Sequence, residues 1–107
     1  MQLRVSSPGK HLKDADIDRI QRDLEKIDRR LSRFREVYAE VRVSNGTYAS
    51  PSFDVTLEIE YGRNHLIAKA SNPDVGAGVR EAREEILRQI NDSSRRGSHT
   101  RYAKKRR

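Results

Sequence analysis

Apolar residues along this chain follow two different periods. Between Asp14 and Phe34, the residues Ile17, Ile20, Leu24, Ile27, Leu31 and Phe34 recur at alternating steps of three and four. That spacing keeps side chains on one face of an α-helix. It predicts a helix over about 14–33, with Asp14 as its N-cap. The period then changes to two. Val37, Ala39, Val41 and Val43 alternate with Glu36, Tyr38, Glu40 and Arg42, and Phe53, Val55, Leu57, Ile59 and Tyr61 alternate with Ser52, Asp54, Thr56, Glu58 and Glu60. Strict alternation marks strands buried on one face only. Asn45-Gly46 opens a loop that ends near Pro51, and Gly62-Arg63-Asn64 makes a tight hairpin turn. Leu66, Ala68 and Ala70, alternating with Ile67 and Lys69, mark a shorter strand.

Two further segments complete the pattern. Gln2–Ser6, with Leu3 and Val5 on one face, reads as a short strand that Ser7-Pro8-Gly9 ends. Asn72-Pro73 reads as an N-cap followed by proline at the first helical position. Val75, Val79, Ala82, Ile86 and Ile90 then mark a second helix over about 73–92. The order is β-α-β-β-β-α, without internal repeats. Each strand has one apolar face, so the expected architecture is α+β: a four-stranded mixed sheet with two helices packed on one face. The first connection is long enough to make strands 1 and 2 parallel through a right-handed crossover.

Charge divides the chain. It has 107 residues and a net charge of +7, a size that fits one domain. Residues 1–92 hold 16 basic and 16 acidic side chains, whereas 93–107 (SSRRGSHTRYAKKRR) hold seven basic and none acidic. Like charges that cannot be buried predict an α+β domain over 1–92 followed by a basic, disordered C-terminal tail over 93–107. Such arms usually bind polyanions; a purely solubilising tail is the plain alternative. The tail candidates for nucleic-acid contact are Arg95, Arg96, Arg101, Lys104, Lys105, Arg106 and Arg107, with Tyr102 placed among them to stack on an unpaired base. There is no Cys, which excludes disulfides and thiolate metal sites and suits a reducing compartment. The opening MQLRVSSPGK lacks a signal-peptide core, and no run approaches the ~18–20 apolar residues of a membrane span. The expectation is a cytoplasmic protein with no membrane partner.

The predicted first helix carries a second stripe. Arg19, Arg22, Lys26, Arg29, Arg30 and Arg33 fall within an arc of about 100°, roughly opposite the Ile and Leu stripe. Asp14, Asp16, Asp18, Asp23, Glu25 and Asp28 lie on the flanks between. A positive ridge of this kind can follow successive phosphates, each Arg offering a bidentate fork. The plain alternative is a solvated face held by pairs such as Asp18–Arg22 and Glu25–Arg29. On the second helix, Arg80 and Arg83 lie on one flank of the apolar stripe and Arg88 lies apart. Arg80 and Arg83 either look into a groove between the helices or pair with acids of the first helix.

Nothing here has the makings of a catalyst. His11, His65 and His99 show no metal-ligand spacing, and there is no Cys nucleophile or Gly-flanked Ser. Glu84-Glu85 sit beside Arg83 and Arg88, which suits ion pairs better than proton transfer. Gly76-Ala77-Gly78 lacks the spacing of a phosphate loop, and close approach of this turn to the sheet or to the first helix is the better account of its glycines. The sequence therefore predicts no enzyme, no catalytic residue, no metal site, no cofactor and no small-molecule substrate.

The element order, the opening MQLRV followed by Gly9-Lys10-His11, the run Asp74-Val75-Gly76-Ala77-Gly78-Val79 and the run Arg88-Gln89-Ile90 together resemble one family. It is that of the ribosome hibernation-promoting factors, also called ribosome-associated inhibitor A or YfiA, and formerly sigma-54 modulation proteins. The resemblance spans roughly residues 1–92, as in short members without the extra C-terminal domain that pairs ribosomes. It implies binding to rRNA of the small ribosomal subunit at the mRNA and tRNA channel, and a block on translation in resting or stressed bacteria. The contacts implied are basic side chains on the two helices and flanking loops. Lys10 and His11 then join Arg19, Arg22, Lys26, Arg29, Arg30, Arg33, Arg80, Arg83 and Arg88 as expected RNA-binding residues. The chain also departs from the family. Glu85 and Asp92 stand where members often carry Lys, Asn91-Asp92-Ser93-Ser94 replaces a basic run, and the loop NGTYASPS is uncharged. These departures permit an alternative: a protein–protein interaction module that keeps the fold with weakened RNA binding.

Overall fold

A computed structural model describes residues 1–7, 12–45 and 52–96. The elements are β1 (Gln2–Ser6), α1 (Asp14–Arg30), β2 (Val37–Asn45), β3 (Phe53–Tyr61), β4 (Asn64–Asn72) and α2 (Val75–Arg96). The strands form one sheet in the order β1-β2-β3-β4. β1 pairs with β2 in parallel and the other neighbours are antiparallel, so the expected mixed sheet is the one found. The alternation sorts the faces. Val37, Ala39, Val41, Val43, Val55, Leu57, Ile59, Tyr61 and Ala68 turn inward, where they meet Ile20, Leu24, Ile27 and Leu31 beside Val79, Ala82, Ile86 and Ile90. Among the described residues no polar or charged side chain is buried, and no helix is long and apolar enough to cross a membrane.

The element ends differ from the sequence reading for local reasons. α1 starts at Asp14, but its cap is Lys13. Asp16 accepts a hydrogen bond from the Lys13 backbone N–H at 3.3 Å, so Asp14 is the first helical residue, not the N-cap. Asp14 and Asp16 both sit where the helix dipole favours negative charge. The helix stops at Arg30 rather than 33. Leu31 and Phe34 keep the apolar period through a turn, in which the Phe34 N–H donates to the Leu31 carbonyl at 3.0 Å. The Phe34 ring then meets Tyr61 edge-on at 4.8 Å.

At the other helix, the expected cap moves by two residues. Asp74 accepts from the Ala77 N–H at 3.1 Å, while Asn72 accepts from the Asp74 N–H at 2.9 Å and closes a turn around Pro73. β4 is longer than expected, running nine residues to Asn72, because the hairpin register pairs every position from Tyr61↔Asn64 to Phe53↔Asn72. α2 continues to Arg96, four residues past the expected end. No Gly or Pro separates Asp92 from Arg96 to stop the helix, and basic residues are favoured at its C-terminal end. Residues 93–96 therefore belong to the helix and not to the tail.

The two glycines of α2 have different neighbours. A Cβ at Gly78 would lie 3.0 Å from Val55 Cγ2 in the sheet, whereas one at Gly76 would lie 3.2 Å from Arg19 Nη1, the end of a flexible side chain. The close approach is thus to the sheet at one glycine and to α1 at the other. Gly76→Ala should stabilise the domain by up to about 1 kcal/mol, the helix preference of Ala over Gly. Gly78→Ala should give no gain, because Val55 is 1% exposed and has nowhere to move. Urea unfolding of the two variants checks this, and equal gains would refute the packing account.

Candidate nucleic-acid interface

α1 and α2 lie side by side and run in the same direction. Successive contacts climb both helices together: Arg19 beside Gly76, Asp23 between Arg80 and Arg83, Lys26 with Glu84, Arg30 with Asn91. The apolar stripes of both helices face the sheet, which leaves their outer surfaces to solvent. All six residues of the basic stripe, Arg19, Arg22, Lys26, Arg29, Arg30 and Arg33, are exposed.

These six differ in how their charge is compensated. Arg19, Arg22 and Arg33 have no acid within ion-pair distance among the described residues; Arg33 instead lies over the Phe34 ring, 5.5 Å from its centroid. Arg30 donates from Nε and Nη2 to Asn91 Oδ1 at 3.2 and 3.0 Å, a neutral partner that orients the guanidinium and leaves its charge intact. Lys26 reaches Glu84 at 3.8 Å and Arg29 reaches Glu25 at 3.9 Å. Exposed pairs at such separations contribute ~0–1 kcal/mol, so both cations are free to exchange partners. The expected Glu25–Arg29 pair is present, and Arg19, Arg22, Arg30 and Arg33 of the ridge have no acid within ion-pair distance among the described residues.

The basic residues of α2 have other partners. Arg80 Nη1 lies 3.7 Å from Asp23 Oδ2. Arg83 donates to the Asp23 carbonyl at 3.2 Å and pairs with Glu84 at 2.8 Å. Its side chain is only 16% exposed. Of the two arrangements left open by the sequence, pairing with the first helix is the one found, and Arg83 holds the helices together. Asp23 Oδ2 is buried without a hydrogen bond, which leaves the Arg80 guanidinium as its nearest compensation. Arg88 bonds Glu85, and Gln89 donates to the same carboxylate at 3.1 Å. The Arg88 hydrogen bond, then that of Gln89, holds the Glu85 carboxyl below the usual carboxylate range. The acid that departs from the family pattern is thus already matched by a cation.

Arg95 and Arg96 stand on the last turn of α2. Lys10, His11, Arg101, Lys104, Lys105, Arg106 and Arg107, with most of the NGTYASPS loop, lie outside the described residues. One grouping escaped the sequence reading altogether: Glu58, Glu60 and His65 meet on the face of the sheet away from the helices. The sequence signal was present, since a two-residue turn at Gly62-Arg63 sets His65 opposite Glu60, but spacing rules for metal ligands look along one element and not across a hairpin. The hydrogen bond from His65, with a smaller share from Arg42, holds the Glu58 carboxyl below its ordinary range.

Comparison with known proteins bears on this surface. A family model described as sigma 54 modulation protein / S30EA ribosomal protein matches residues 3–97. No curated protein matches the chain. The fold is similar to that of the Protein Y N-terminal domain from Thermus thermophilus, with a TM-score of 0.71 and 16% identity over 84% of this chain and 96% of that one. It is also similar to a ribosomal subunit interface protein from Coxiella burnetii, with a TM-score of 0.68 and 12% identity over 86% of this chain and 96% of that one. At such identities the two structures attest the fold alone.

Proposed function

The chain belongs to the sigma 54 modulation protein / S30EA ribosomal protein family, and from that premise we propose that it is a ribosome hibernation factor that silences translation by occupying the small subunit. Its ligand is rRNA along the mRNA and tRNA channel, met by the outer face of α1 and the basic tail. The observation that carries this reading is the ridge of α1, with six exposed cations of which Arg19, Arg22 and Arg33 have no acid partner among the described residues. Inhibition of this kind needs no chemistry. A-form RNA hides its base edges in a deep groove, so shape and phosphate contacts dominate its recognition, and guanidinium forks suit phosphates. The alternative module without RNA affinity rests on Glu85 and Asp92, and the bonds of Glu85 to Arg88 and Gln89 blunt that argument.

Co-sedimentation of the full chain with purified small subunits, at low and at near-physiological salt, tests the proposal. The chain should pellet with the subunit at low salt and release as salt rises, because each phosphate contact frees counterions. A chain that stays in the supernatant at low salt would instead favour the protein–protein module.

A further inference from the structure

We propose that the open face of the sheet binds one first-row divalent transition ion, with Zn²⁺ as its test ion, between Glu58, Glu60 and His65. The site lies on the opposite side of the sheet from the helices and is independent of the ribosome reading. β3 presents Glu58 and Glu60 two residues apart on one face, and the register sets His65 of β4 directly opposite Glu60. His65 Nε2 touches Glu58 Oε2 and lies 3.8 Å from Glu60 Oε2. The three donor atoms all lie within 4.8 Å of one another. Bonds of ~2.0–2.2 Å to a tetrahedral ion place donors roughly 3–3.5 Å apart. Side-chain rotations that move these atoms by about 1 Å therefore suffice, and the backbone need not shift.

Three features make the cluster more than a surface ion pair. The first is the donor set. One imidazole with two carboxylates suits Zn²⁺, Ni²⁺ or Cu²⁺, whereas Mg²⁺ and Ca²⁺ favour all-oxygen sites. The second is support from behind. Arg42 Nη1 lies 3.2 Å from Glu58 Oε1 and 3.2 Å from Glu40 Oε1, so one oxygen of Glu58 is tied back and the other is aimed at the imidazole. Outer contacts of this sort fix the orientation of metal ligands. The third is charge. Glu60 has no Lys or Arg within ion-pair distance among the described residues, and its carboxylate faces the His65 ring across the hairpin. The open positions of a three-ligand site fill with water.

The test uses the full chain carrying His11→Ala and His99→Ala, so that His65 is its sole imidazole. Zn²⁺ is titrated in competition with a chromogenic chelator at pH 7.5, and the His65 ring nitrogens are followed by NMR. One equivalent should bind and shift those ring signals. His65→Ala in this background should weaken binding at least tenfold, and Glu60→Gln severalfold. Both positions are exposed, and an unchanged melting temperature verifies that each variant is folded. Mg²⁺ at the same concentrations should leave the ring signals in place. Ring signals that do not move at one equivalent of Zn²⁺ would overturn the site, as would a His65→Ala variant that binds as tightly as its parent.

Discussion

Changing Arg19, Arg22 and Arg33 together to Glu should abolish co-sedimentation with the small subunit and leave the domain folded. All three are exposed and none gives up an ion pair, so each change should cost within about 0.5 kcal/mol. Arg33 adds the loss of its contact with Phe34, about 0.5–1 kcal/mol at an exposed site. Binding should respond far more strongly. Three lost phosphate contacts, at ~0.7–0.9 each, flatten the log–log salt dependence by roughly 2–3, and three new carboxylates repel the same path. The matching control is Leu24→Ala. Leu24 is 0% exposed, and its truncation should cost about 2–5 kcal/mol through a core cavity. At ~4–8 °C per kcal/mol for a domain of this size, its melting temperature should drop by some ten degrees or more. The fraction that remains folded should still pellet with the subunit. A triple-Glu variant that melts normally and still pellets would remove the ridge from the binding surface.

How much of this was legible beforehand depends on the range of the interactions involved. The sheet was readable because a strand's two faces are written in successive residues, and β2 and β3 fall where the alternation puts them. The helix ends were less so. Leu31 and Phe34 continue the period of α1 although the helix stops at Arg30, since a buried turn can carry the same spacing as another turn of helix. The end of α2 was missed for the opposite reason: like charges in Arg95 and Arg96 argued for a disordered arm, but with no breaker before Gly97 the helix ran on to Arg96.

The ridge itself was legible, because the sorting of signs around α1 is a property of one helix. The partners of its charges were not. Whether Arg80 and Arg83 point to a ligand or to Asp23 depends on α1 and α2 running parallel and on the turn at which they meet. Sequence position alone left both outcomes open. The same limit hid Glu58, Glu60 and His65, whose meeting requires the hairpin register. Residues that act together along one element can be read from the chain, whereas residues that act together across two elements need the packing.

The helical stretch to Arg96 also decides how the tail should be tested. A cut after Asp92 would remove the last turn of α2 along with the charge, and would confuse helix stability with RNA contact. Replacing Arg101, Lys104, Lys105, Arg106 and Arg107 with Gln keeps the helix whole and removes five cations. The core residues among those described end at Ile90, so the melting temperature should not change. If all five contact phosphates of unpaired RNA, the log–log salt slope should flatten by about 3.5, at ~0.7 per contact. Between 50 and 200 mM salt, the parent chain would then lose about 100-fold more affinity than the variant. Residual binding through the ridge should survive at low salt. Tyr102→Ala separates stacking from charge: a stacked base contributes about 1–3 kcal/mol that depends little on salt, so its loss lowers affinity at every salt concentration and leaves the slope in place. An unchanged slope in the five-Gln variant would mean that the tail does not touch RNA, and that the cations of the helices carry the electrostatic attraction alone.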